Sequence, residues 1–330
     1  MKVIGGAVIL RSQTNNQGAD VGTFKDPKDV KVAKTVSINK KKLKEAGIFS
    51  VFVGPVFLAF TIIVLIPFFT GVYYAFTDWN GVTGTIKWVG LENFKYIFTQ
   101  DTAFKESFLL TTKYTVVAIL LTNIIGFGLA LLVTQKLKTR NILRTVFFMP
   151  NLIGGILLGF IWQFIFIKGF ASIGQLTGIH LFTLSWLGDA KTAFWGLVIV
   201  SVWQGAGYIM IIYVAALQNV PQELIEAARI DGANKWQILR HITMPMVAPA
   251  VTICLFLTTA SSFKIFDSNL SLTNGGPFKS TEMLALNIYT EAFVNNRYGI
   301  GEAKALIFFI VVAAITILQV TLSKKKEVES

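Results

Sequence analysis

Mild polar side chains stand in or beside long apolar runs of this chain: Thr111, Thr112, Asn123, Gln163, Gln204, Tyr208, Thr258, Thr259, Ser261 and Ser262. All are neutral hydroxyls or amides. Such groups bind a hydroxyl-rich ligand without the desolvation cost of charge. They also hold membrane helices together by hydrogen bonding. Residue type alone leaves both roles open. Catalysis asks for positioned acids, bases, nucleophiles or metals. No HExxH, no GxSxG and no paired carboxylates occur inside an apolar run. Gly275-Gly276-Pro277-Phe278-Lys279-Ser280-Thr281 lacks the spacing of a phosphate loop. One Cys and two His exclude a disulfide scaffold and leave almost no material for a metal cluster.

A second kind of chemistry is docking. Val220–Pro249 reads as a short helix, a break and a second helix. Pro221 suits a first helical turn and Glu223 complements the helix dipole there. Leu224, Ala227, Ala228 and Ile230 recur at mostly helical spacing. Asp231-Gly232 stops the helix, because Gly accepts a left-handed cap. Trp236, Leu239 and Ile242 line one side of the second helix, and Pro245 marks its end or a kink. A small amphipathic helix with two alanines on its face lets a partner's groove approach closely, with Glu226 or Arg229 pairing across it. A solvated connector, or a helix lying on lipid, fits the same residues.

These groups need a scaffold, and the composition names its solvent. The 330 residues are 53% hydrophobic and 15% charged, where soluble domains carry about 25% charge. Disorder is excluded on the same grounds. A membrane helix needs roughly 20 apolar residues. The uncharged runs Ala46–Thr77, Tyr114–Gln135, Thr145–Ile167, Thr192–Gln222, His241–Phe263 and Ala305–Ser323 predict six spans. Lys113, Lys264, Asp267, Glu302 and Lys304 fall near their outer ends, where snorkelling to the interface explains them. Span centres without ionisable groups weaken an ion-coupled carrier, which needs a ligand for its proton or sodium.

The net charge of +12 is a topology signal. Most Lys and Arg lie before the first span, after the second and fourth, and in the tail, so both termini are expected in the cytoplasm. Nucleic acid is not an expected partner. No cleaved signal peptide is read in Val3–Leu10. Residues 1–45 are expected to form a basic cytoplasmic arm, 46–323 a six-helix transmembrane domain with a cytoplasmic loop at 220–245, and 324–330 a tail. Outside, Asp78–Glu106 carries Trp79, Trp88, Phe94, Tyr96 and Phe98, suited to anchoring at the membrane interface or, alternatively, to a lid or docking surface for an extracellular partner. Lys168–Lys191 and the polar stretch Lys264–Glu302, with its Asn274-Gly275-Gly276-Pro277 turn, are the other outer loops.

Glu226-Ala227-Ala228, then three residues, Gly232, then nine residues, Ile242-Thr243-Met244-Pro245, resembles the EAA loop of ABC importer permeases. Met244 stands where that family usually has Leu, a volume-conserving exchange. Trp88-Val89-Gly90-Leu91-Glu92-Asn93-Phe94 resembles the first outer loop of the carbohydrate-uptake branch, the maltose- and glycerol-phosphate-type systems. Leu272-Thr273-Asn274-Gly275-Gly276-Pro277, with Ser280-Thr281-Glu282, is similar to their last outer loop. Ile288-Tyr289, Ala292-Phe293 and Tyr298–Ala303 continue the pattern.

The resemblance implies an all-α polytopic membrane protein with the type I (MetI-like) ABC importer permease fold. It implies a second, homologous permease subunit in a heterodimer, an ATP-binding cassette ATPase dimer that holds ATP and Mg, an external solute-binding protein and a sugar ligand. No cofactor and no catalysis are expected in this chain. Glu223, Leu224, Glu226, Ala227, Ala228, Arg229, Asp231 and Gly232 become the ATPase-coupling element. Aligned on the same anchors, Gln204, Gly205, Tyr208, Thr258, Ser261 and Ser262 become substrate contacts, and a di- or oligosaccharide the expected cargo. Several of these side chains differ in type from the maltose pattern. Glycerol phosphate or another polar solute, and an ion-coupled sugar carrier, are the rival readings.

Overall fold

The structure is a computed structural model that describes residues 47–82, 84–135 and 137–324. The basic arm 1–45 and the tail beyond 324 lie outside the described residues. The chain divides into two units at Pro67. In the first, the described stretch 47–67 is helical, turns through a π-helical segment at Thr61–Leu65 and buries no side chain.

The second unit, from Phe68, is helical, with one isolated antiparallel bridge between Thr77 and Trp88 among the described residues. Among the described residues, six helices have the length and apolarity to cross a membrane: α1 (Gly47–Tyr74), α3 (Thr102–Val133), α5 (Gly155–Thr177), α6 (Ala190–Gln218), α8 (Lys235–Phe263) and α11, whose apolar part is Tyr298–Ser323. Between them lie α2 (Glu92–Thr99), α4 (Arg140–Phe148), α7 (Gln222–Ile230), α9 (Asp267–Leu272) and α10 (Leu284–Val294).

All six predicted runs are helical, but their ends move. A span of 32 residues such as α3 is about 48 Å long at 1.5 Å per residue, well beyond a hydrocarbon core of about 30 Å. Its first turns, with Lys105 and Glu106, therefore extend past the apolar run. Asp101 caps them by accepting from the Phe104 N–H at 2.8 Å. The third run began too early. Arg140–Phe148 is a separate helix, and Met149–Leu152 is a 3-10 turn. Ile153 and Gly154 are extended before α5 starts. Pro245 neither ends nor breaks α8. A π-helical turn at Leu239–Thr243 precedes it, with the Met244 N–H bonded to the Leu239 carbonyl, the kind of local rearrangement that lets a helix carry proline. The stretch Lys264–Glu302 is not a polar loop throughout, since it holds α9 and α10.

Helix α6 is the centre of the bundle. It is buried along most of its length and packs on α3, α4 and α8, as expected of a helix apolar all round. Asp189 caps it, accepting from Lys191 and Thr192 N–H groups. At Gly207 a side chain would meet the Phe147 carbonyl, so the end of α4 lies directly on the α6 backbone. The Gly155–Gly159 pair packs in the same way on Asp267 and Ser271 of α9.

The snorkelling expectation fails at Lys304. Its side chain is 0% exposed and its Nζ lies 2.8 Å from Asp101 Oδ2 and 2.9 Å from Glu291 Oε2. The ammonium is buried because two carboxylates and the Asn287 amide oxygen, at 3.0 Å, replace its water. Lys113 is exposed, with its Nζ 5.0 Å from the Phe194 ring centroid. Among the outer aromatics, Trp88 and Phe98 are exposed. Phe94 is part of a cluster around Ile97, Phe104 and Leu284.

Candidate functional site

The first candidate is the α7 helix. Its termination follows from Gly232, whose φ of +81° is in the left-handed region. Ala233 N–H bonds to the Ala228 carbonyl at 2.9 Å and Gly232 N–H to Arg229 at 3.1 Å. These two bonds satisfy two of the last free carbonyls of the helix. Asn234 then opens α8 with a reciprocal cap. Its side chain accepts from Gln237 N–H at 2.9 Å, and the Gln237 side chain accepts from Asn234 N–H at 2.7 Å. The angle between α7 and α8 is thus set by a two-sided cap.

Within this frame α7 projects. None of its residues is buried. Leu224, Glu226, Ala227, Arg229, Asp231 and Gly232 are exposed, as is Glu223. Leu224 is 46% exposed, Ile230 86% and Trp236 66%. Ala228 is half-buried and borders a small hollow with Asp231, Gln237 and His241. Among the described residues, Glu223, Glu226, Arg229 and Asp231 form no ion pair. An apolar tip flanked by unpaired charges is a docking surface by composition.

The second candidate is a cavity of about 530 Å³ between α3, α6, α8 and the entry to α9. Gln204, Gly205, Tyr208, Thr258, Ser261 and Ser262 all border it. On α6 the spacing i, i+1, i+4 puts the first three on one face, and on α8 the spacing i, i+3, i+4 does the same. Extending either stripe by three residues finds further wall residues, Ser201 on α6 and Ile265 just past the end of α8. Tyr114, Ala118 and Thr122 form the equivalent stripe on α3. Sequence reasoning left out Tyr114, Ser201, Asn151, Phe266 and Asp267, and helical spacing from Gln204 would have found Ser201.

The wall groups are not equally available. Gln204 donates its amide to the Ile153 carbonyl at 2.9 Å, which orients its oxygen. Thr258 donates to the Cys254 carbonyl at 2.7 Å and accepts from Asn123 at 3.0 Å. Asn123 in turn accepts from the Tyr213 hydroxyl at 2.9 Å, a relay that ties α3, α6 and α8. Tyr114 donates to Ser201 at 2.5 Å. Tyr208 is 40% exposed. Lys264 and Asp267, both exposed, stand in the wall near the outer end of α8. The cavity therefore offers mostly neutral donors and acceptors beside aromatic rings, with Lys264 and Asp267 at its outer end.

The family profile described as "Binding-protein-dependent transport system inner membrane component" matches residues 122–328. The "Probable starch degradation products transport system permease protein AmyD" of Thermoanaerobacterium thermosulfurigenes is 48% identical over 88% of this chain and 99% of its own. The "Multiple sugar-binding transport system permease protein MsmF" of Streptococcus mutans serotype c is 34% identical over 79% of this chain and 90% of its own. A chain of a bacterial ABC transporter involved in the import of the acidic polysaccharide alginate superposes with a TM-score of 0.76 at 20% identity. The match covers 86% of this chain and 98% of that one, and it establishes the common fold. With the family profile spanning more than half of the chain and a relative at 48% identity along nearly all of its length, the protein belongs to the binding-protein-dependent transport system inner membrane components, the six-span permease subunits of ABC importers.

Proposed function

We propose that this chain forms half of the translocation pathway of an ATP-driven importer for a di- or oligosaccharide. A second permease subunit supplies the other half. An ATPase dimer, which binds ATP and Mg, receives α7 in a groove, and an external binding protein delivers the sugar. Both termini face the cytoplasm. ATP-driven closure of the ATPases moves α7 and α8 together, because the cap at Gly232 and Asn234 links them. The spans then switch between inward- and outward-facing states.

The observation that carries this reading is the neutral, hydroxyl- and amide-lined cavity, at the far end of the same helices that hold the projecting α7. Hydroxyls of a sugar exchange water for such groups at little cost, whereas an anionic solute calls for an unpaired Arg or Lys. Lys264 stands at the outer end of the wall with Asp267, and the inner wall, lined by hydroxyls and amides, favours a neutral ligand over glycerol phosphate. The names of the relatives, starch degradation products and multiple sugars, point the same way.

The test is a gentle tagged purification from native membranes. The expected result is co-purification of a second permease and an ATPase whose hydrolysis rises with the binding protein and sugar. A chain that stays alone after cross-linking, and imports sugar on an ion gradient, overturns the reading.

A further inference from the structure

Six aromatic rings are in continuous contact at the end of the bundle opposite α7, a line from Phe266 to Tyr298 that ends in a triangle of Tyr298, Trp79 and Tyr74. The row begins at Phe266 in the cavity wall. Ring centroids run 5.3 Å from Phe266 to Tyr289, 5.3 Å on to Phe293 and 5.7 Å on to Tyr298. Trp79 follows at 4.9 Å and Tyr74 at 4.3 Å. These rings come from separate stretches of chain: the α8–α9 junction, α10, the start of α11, the loop after α1, and α1 itself. Tyr289 is 38% exposed and Phe293 60%, and the other four are half-buried.

The row is held from behind. Helix α10 buries Leu284, Asn287 and Glu291. The Leu284 N–H donates to the Thr111 hydroxyl at 2.8 Å. Glu291 takes Lys304 at 2.9 Å on one oxygen and Arg297 at 3.0 Å on the other. With that side fixed, Tyr289 and Phe293, four residues apart, project together from the other. The buried charges thus orient two rings that touch none of them.

A sugar ring presents C–H groups on its faces and hydroxyls around its edge. An aromatic face covers the first and leaves the second wet, and tyrosine adds a polar tip. A line of such faces leading out of a cavity fits a chain of sugar rings. The cavity itself has the size that encloses one small ligand, so a longer oligosaccharide must leave rings outside it. Aromatics that anchor a protein in the bilayer interface have no reason to continue into a pathway wall.

We propose that Phe266, Tyr289, Phe293, Tyr298, Trp79 and Tyr74 form an extended subsite that stacks on successive rings of an oligosaccharide too long for the cavity and feeds it in end first. This rests on the sugar-importer reading above. The test uses the whole importer, with its partners, taking up a labelled ladder of α-linked glucose oligomers from maltose to maltoheptaose. Phe293→Ala and Tyr289→Ala are each expected to lower the ratio of maltoheptaose to maltose uptake by roughly tenfold. Phe293→Trp preserves the ratio. Phe98→Ala, an exposed aromatic outside the row, also preserves it. An equal loss at every length, or no loss at any, overturns the row as a subsite. A wild-type importer that takes maltose but nothing longer overturns it too and leaves the sugar-importer reading standing. A wild type that takes none of the ladder overturns the row as a subsite for α-linked glucose chains, and leaves the sugar-importer reading to the purification test above.

Discussion

The Nζ of Lys304 and the Oδ2 of Asp101 lie 2.8 Å apart, and neither side chain is more than 6% exposed. The pair joins the start of the last span to the cap of the second. Asp101 also accepts the Phe104 N–H through its other oxygen, so one carboxylate both caps α3 and pins α11. Glu291 completes the site from α10. A charge this deep is stable only while every partner is present.

Lys304→Met is expected to destabilise the protein by about 3–5 kcal/mol, because it strands the buried Asp101 carboxylate and leaves Glu291 with Arg297 alone. Lys304→Met combined with Asp101→Asn recovers part of that loss, since one stranded charge is removed. Thermal unfolding in detergent of the four members of the cycle reads the coupling. Strictly additive effects would show that the pair contributes nothing jointly.

Gly232→Asp separates coupling from folding. The φ of +81° costs an ordinary L-residue about 1 kcal/mol, and nothing lies within 4 Å of a Cβ built there. The protein therefore inserts at wild-type level while α7 swings off its angle. Sugar-stimulated ATPase activity is expected to vanish, with the membrane content unchanged on a blot. Transport that survives the substitution removes α7 from the coupling path.

Ala227→Trp tests the same helix from its surface. Ala227 is exposed, so the larger side chain meets no neighbour in this chain and stability changes by less than about 0.5 kcal/mol. A partner groove fitted to a small side chain is blocked. Co-purification of the ATPase should fall roughly tenfold while the second permease still co-purifies. Full recovery of the ATPase would place its contact elsewhere.

Much of this was legible in the sequence, for physical reasons. Uncharged runs report hydrocarbon, so the six spans were visible from Ala46–Thr77 to Ala305–Ser323. The same criterion misplaced their ends. It stops at the first charge, while α3 carries Lys105 and Glu106 in its first turns and α11 carries Glu302 and Lys304. The helix stop at Gly232 was readable because only local backbone geometry decides it. The burial of Lys304 was not, because Asp101 and Glu291 are brought to it by tertiary packing alone. The end of the separate helix α4 was hidden in an apolar run, and Pro150 with Gly154-Gly155 was the available signal for the break. On the cavity wall, Gln204 and Tyr208 came from a resemblance to a family. Ser201 and Asp267 needed the packed helices.

Thr258 and Ser262 border the same cavity but make opposite predictions. The Thr258 hydroxyl bonds to Cys254 and Asn123 and is 5% exposed, inside the relay that reaches Tyr213. Thr258→Val leaves Asn123 short of a partner at a buried site, a loss of about 1–3 kcal/mol. Ser262 is half-buried on the cavity side, and its hydroxyl enters no relay of this kind. Ser262→Ala should leave the melting temperature unchanged and raise the transport KM several-fold, since one net hydrogen bond to a ligand contributes about 0.5–1.5 kcal/mol. Measuring melting and uptake for both variants separates the two roles. Equal melting temperatures with equal KM shifts would assign Thr258 to the ligand as well. A stability loss at Ser262 would assign that hydroxyl to the bundle.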